Sequence, residues 1–255
     1  MNILSGFADI SLGQLVLVAG VALFASLVGG LAGYGTGALM PLVLVPLIGP
    51  EPVVPIIAIS AVFTNISRFT AYFRYIDRRR ALIVVAAAAL TTALGAYGYT
   101  RLNNVGAALL IGTMLISSVP LRRLAKRREV RIGNGGLAAS AIGYGVVVGG
   151  TSGSGVILLS LLMAAGLEGA AVIATDAVIS VATSVIKISV FGLAGVVTAQ
   201  VLAFALLIGI IAIPGAFLAK AFVERMPVHI HTAILDAAVM VGGVVMISTA
   251  VRSLL

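Results

Sequence analysis

Asp176, Ser180, Thr183 and Lys187 follow one another at steps of four, three and four residues in an apolar stretch with no other charge. On a helix of 3.6 residues per turn that spacing puts all four on one face. A stripe of hydroxyls ending in an ammonium is suited to holding an anion. The carboxylate adds a group that can carry a proton or orient a cation. By helical rise Asp176 and Lys187 lie about 16 Å apart, too far to pair directly. Three roles are open to Lys187: contact with a substrate anion, an ion pair with Asp236 or, through water, with Asp176, and a reach to the membrane interface. For Asp176 they are proton coupling, orientation of the Lys187 region and a helix-terminus contact.

A second constellation, Thr64, Asn65 and Arg68, shares a helical face with Ser60 and Tyr72. Arg68 lies only about 9 Å of helical rise from the basic end at Arg74, so reaching lipid headgroups competes with a role at a site. The remaining chemistry is in glycine-rich runs. Gly29, Gly30, Gly33, Gly35 and Gly37 form one, and Gly149, Gly150, Gly153 and Gly155, with Thr151, Ser152 and Ser154, form the other. Either cluster can serve close helix packing of the Gly29-x-x-x-Gly33 kind, or a break in a helix. A helix that restarts after a break offers free backbone N–H groups and the positive end of its dipole, which favours anions. Non-helical backbone inside lipid survives only where it is packed in protein or lines a wet cavity.

These residues must be positioned by membrane helices. Of 255 residues 61% are hydrophobic and 9% charged, which excludes an ordinary soluble domain. Apolar runs fall at 11–33, 36–49, 52–73, 81–99 and 104–120, then at 134–150, 153–166, 169–191, 197–219 and 230–251. The expected fold is an all-α polytopic membrane protein of two homologous halves, residues 1–120 and 134–255. Each half has five hydrophobic segments, and a basic cytoplasmic linker at 121–133 joins them. Met1 to Gln14 lacks the basic start of a cleaved signal, so the first run is read as a true span. Ten of the sixteen basic residues sit in two short stretches, Arg74 to Arg80 and Arg122 to Arg131. That is the pattern of cytoplasmic loops beside spans rather than of nucleic-acid binding.

Letters repeat as well as hydropathy. Val28-Gly29-Gly30-x-x-Gly33-x-Gly35 returns as Val148-Gly149-Gly150-x-x-Gly153-x-Gly155, and Thr64-Asn65-x-x-Arg68 as Thr183-Ser184-x-x-Lys187. If all five segments of each half cross, the halves are inverted repeats, an arrangement common in secondary transporters. The basic loop 74–80 and the uncharged stretch Gly192 to Ala199 fit that topology. The segments 36–49 and 153–166 are short for spans, as the halves of broken helices would be.

The glycine breaks, Phe63-Thr64-Asn65-x-Ser67-Arg68 leading to Arg74-Tyr75-Ile76-Asp77, and Ala174-Thr175-Asp176-Ala177 leading to Lys187 together resemble the sulfite exporter TauE/SafE family. The resemblance covers essentially the whole chain. It implies a carrier for sulfite, sulfoacetate, other short sulfonates or small carboxylates in the cell inner membrane. The expected substrate-binding set is Gly33, Gly35, Gly37, Thr64, Asn65 and Arg68 from the first half, with Gly153, Ser154, Gly155, Thr183, Ser184 and Lys187 from the second. Asp176 and Asp236 are the expected coupling or pathway residues. The expected partners are a small anion and the bilayer, with a homo-oligomer left open and nucleic acid excluded.

No catalytic residue, cofactor or metal is expected: the chain has no cysteine and only two histidines, His229 and His231, near the start of the last run. Two other classes compete with a carrier. A membrane subunit of an ATP-driven permease needs no nucleotide motif, and none is present. An intramembrane aspartyl protease could use Asp176 and Asp236, but neither has a Gly-x-Gly-Asp context.

Overall fold

In hydrocarbon every backbone N–H and C=O must be paired within the protein, and a helix does this segment by segment. The ten apolar runs accordingly appear as ten helices in the computed structural model, which describes residues 3–8, 10–32, 35–127, 131–222 and 228–252. Side chains are described for these residues except at 4, 30–32, 122–127, 216, 219–222 and 228–239. The helices are α1 (Leu12–Ala32), α2 (Gly35–Ile48), α3 (Val53–Tyr72), α4 (Arg78–Tyr99) and α5 (Asn104–Arg127). They continue as α6 (Asn134–Gly150), α7 (Gly155–Ala164), α8 (Gly169–Leu193), α9 (Ala199–Phe222) and α10 (Val228–Arg252). No strand occurs among the described residues, and five helices there are long and apolar enough to cross a membrane. The protein is an all-α polytopic membrane protein. Helix α5 runs through Arg127, so the first part of the basic stretch is helical.

The surface is apolar and the interior holds the polar groups. Leu12, Leu82, Leu90 and Leu193 point outward, whereas Asn65, Arg68, Asp176, Thr183 and Lys187 are buried. Only a lipid surround makes that distribution favourable. Without a hydrophobic drive between helices, small residues allow the close approach that dispersion requires. A Cβ on Gly149 would meet α4 at Ala96 N, 2.8 Å away, and one on Gly95 would meet Gly150 N at 3.0 Å. Packing through small residues and a helix break thus both draw on the second glycine cluster.

The contacts follow a pattern. Helix α1 packs on α9 as α6 packs on α4, and α3 packs on α9 as α8 does on α4. Helix α2 touches α10 as α7 touches α5, while α3 packs on α8 and α5 on α10. Each of these contacts is retained when every helix is exchanged for the one five places away. At the α5–α10 contact, a Cβ on Gly112 would meet the Gly243 carbonyl at 3.1 Å, and one on Gly243 would meet the Gly112 carbonyl at 3.0 Å.

Loops gather at two ends. At one, Ile132 N donates to Ala164 O at 2.8 Å, and Asp77 N donates to the Thr175 hydroxyl at 3.0 Å. The basic segments around 74–80 and 131 therefore share an end. At the other, the Tyr99 hydroxyl donates to Pro50 O at 2.8 Å, fixing the turn between α2 and α3. Glu51 lies in that turn, where the run of prolines predicts one.

Candidate functional site

Helix α6 stops at Gly150 and α7 starts at Gly155. Between them the chain is extended at Thr151, with φ −134° and ψ 176°, and takes a positive φ of +80° at Gly153, open to glycine without strain. The Thr151 hydroxyl donates to Val147 O at 2.7 Å, while the Ser152 hydroxyl is buried with no hydrogen-bond partner. A buried polar atom without a partner is uncommon and calls for an explanation.

In the first half α1 ends at Ala32 and α2 begins at Gly35, folding back so closely that a Cβ on Gly29 would lie 3.2 Å from Gly35 N. The first turn of α2 meets the break in the second half: a Cβ on Gly37 would lie 2.8 Å from Gly153 N. The two glycine clusters, more than a hundred positions apart in sequence, are thus in backbone contact.

Around this contact lies a cavity of about 110 Å³. It is lined by Gly35, Gly37, Gly153 and Gly155, together with Thr36, Ser152 and Ser154. Helix α3 contributes Thr64, Asn65 and Arg68, and α8 contributes Ser180, Thr183, Ser184 and Lys187. Of the twelve substrate-binding residues expected from the sequence, all line this cavity except Gly33, which lies outside the described residues. The side chains of Asp236, His229 and His231 also lie outside them.

The two cations are held differently. Lys187, 5% exposed, donates from Nζ to the Thr151 carbonyl at 3.0 Å, at the point where α6 ends. It neither reaches the interface nor pairs with Asp176. Arg68, 7% exposed, does not reach headgroups either: it forms an ion pair with Asp176, Nη2 to Oδ2 at 2.8 Å, and donates to Asn65 Oδ1. Asn65 is fixed in turn by donating to Ala61 O at 2.8 Å. Asp176 is fully buried at the α3–α8 contact, with Arg68 as its ion-pair partner. Next to it Thr175 anchors Asp77, the N-cap of α4, whose Oδ1 accepts from Arg80 N at 2.9 Å.

Ser26, Thr36 and Tyr144 also line the cavity and were not singled out from the sequence. Tyr144 is a lone aromatic in an apolar run, with no periodic signal. Thr36 sits inside the first glycine cluster, whose glycines alone drew attention.

Deep burial of cations beside broken backbone inside a bilayer protein is the signature of a transport pathway. The sulfite exporter TauE/SafE family model matches residues 18–246. The chain belongs to the TauE/SafE family. No curated protein and no solved structure matches it. Membership makes this a multi-pass membrane transport protein, and the TauE/SafE match spans both glycine breaks, both cations and Asp176.

Proposed function

We propose that the protein is a secondary transporter of small organic or sulfur-containing anions, namely sulfite and short sulfonates. The observation that carries this reading is the meeting of Gly37 with Gly153 beside Lys187, in a cavity built of glycine backbone and hydroxyls. Partial charges from N–H groups and hydroxyls select an anion without the grip of several arginines, so a carrier built this way can also release its ligand. The Ser152 hydroxyl and the Lys187 ammonium are the groups placed to receive an oxyanion.

In this reading the two halves are inverted repeats, 1–120 and 134–255, supported by the recurring letters and by the exchangeable helix contacts. Rocking of one half against the other around a fixed site at their junction would give alternating access. The end carrying the basic segments faces the cytoplasm across the cell inner membrane. Asp176 belongs to the pathway through its hold on Arg68.

The test is a thermal-shift screen of the purified protein against sulfite, sulfate, C2 and C3 sulfonates, lactate and acetate. A ligand at a hundred times its Kd stabilises the folded state by about 2.7 kcal/mol. Selective stabilisation by sulfite or short sulfonates, without any partner ATPase, is the expected outcome. Stabilisation by none of these anions would refute the proposal.

A further inference from the structure

The cavity's two halves carry unequal charge. Arg68 and Lys187 hold matching places in the two repeated runs, and both line the cavity. Carrying that register back along α3 and α8 sets Asp176 opposite Ile57. Ile57 lines the cavity too, so the first half has a hydrocarbon where the second has a carboxylate. The matching helix contacts are therefore made without an acid at the first position.

Asp176 Oδ2 is 2.8 Å from Arg68 Nη2, and its Oδ1 is buried without a hydrogen-bond partner. Its described charged or titratable neighbours are Arg68 on α3 and Tyr144 on α6. Lys187, by contrast, donates to a neutral carbonyl. Asp176 offsets the charge of Arg68 from outside the cavity lining, which leaves Lys187 as the lining cation with no carboxylate partner among the described residues.

We propose that Asp176 is a specificity-determining residue that sets the charge of the anion accepted, so that the site takes singly charged anions over doubly charged ones. This rests on the reading that the cavity binds small anions. A monoanion brings the enclosed groups to neutrality, whereas a dianion leaves an uncompensated negative charge in a poorly polarisable interior. Size does not discriminate between ethanesulfonate and sulfoacetate, in which a carboxylate replaces the methyl group, and charge does.

The test is isothermal titration of the purified protein with ethanesulfonate and with sulfoacetate, at a pH where each holds its full charge. The parent is expected to bind ethanesulfonate about tenfold or more tightly, the scale of one unit charge about 12 Å away at an effective dielectric of about 20. Asp176→Asn is expected to move the ratio toward sulfoacetate by about the same factor. A parent that prefers sulfoacetate overturns the proposal without recourse to any variant, and so does an unchanged ratio in a folded Asp176→Asn protein. If the parent binds neither these two nor any other small anion, the anion site itself is refuted and the proposal falls with it.

Discussion

The contact between the two glycine clusters yields a quantitative prediction. In Gly37→Ala the new methyl would lie 2.8 Å from Gly153 N and 3.2 Å from Gly153 Cα. Both obstacles are backbone, so no rotamer change relieves them. Ordinary contact starts at 3.4 Å, so the first turn of α2 and the 151–154 break must separate by about 0.6 Å. Hydrogen bonds to a charged ligand weaken steeply over such a distance, and one is worth about 1.5–3 kcal/mol. Ethanesulfonate should therefore bind roughly ten- to hundredfold more weakly. Gly98→Ala is the control: nothing lies within 4 Å of its added methyl, and a helical Gly→Ala change is worth about 0.5–1 kcal/mol of stability. The assay is the thermal shift of each purified variant as a function of ethanesulfonate concentration. A Gly37→Ala protein that binds as the parent does, or a Gly98→Ala protein that weakens equally, would refute the reasoning.

Other predictions concern charge, orientation and pH. Lys187→Met should weaken ethanesulfonate binding roughly ten- to hundredfold, from the loss of a hydrogen-bonded charge worth about 1.5–3 kcal/mol, while leaving a folded protein by gel filtration. Gly153→Val should insert in the membrane yet lose anion-dependent stabilisation, because φ +80° disfavours any Cβ and a branched side chain enters the contact with Gly37. A cysteine placed at Lys126 should resist an impermeant external thiol reagent in intact cells, and efficient labelling would reverse the proposed orientation. The Arg80 backbone N–H holds the Asp77 carboxyl below its ordinary pKa, with the Arg80 side chain assisting against a smaller desolvation effect. A lowered folded-state pKa stabilises above the unfolded value, about 3.9, and the benefit is lost as pH falls through the lower folded value. Asp77→Ala should thus cost about 1 kcal/mol near neutrality, and the gap from the parent should close in acid when melting is followed against pH.

Much of this architecture was legible in the letters. A membrane helix must be apolar over most of its length, so the runs 52–73 and 169–191 lie within two residues of the bounds of α3, Val53–Tyr72, and α8, Gly169–Leu193. The polar stripe on α8 was legible for the same reason: a hydroxyl or charge in lipid must face inward, so helical spacing also reports direction. The pairing of Arg68 with Asp176 was not legible, because the two are 108 positions apart and periodicity within a helix says nothing of its neighbours. Nor was the fate of Lys187, whose partner is a carbonyl freed by the end of α6. Any residue type could supply that group. The continuation of α5 into the basic stretch escaped because arginine and lysine are good helix formers, so hydropathy falls there while the helix persists.

The most direct test is a cryo-electron microscopy structure of the protein in ethanesulfonate, with a matched map in its absence. The account predicts ligand density in the cavity beside the Gly37–Gly153 contact, within reach of the Ser152 hydroxyl and Lys187 Nζ. Density that depends on the ligand but lies elsewhere, with the contact between the two breaks closed and unchanged, would contradict it.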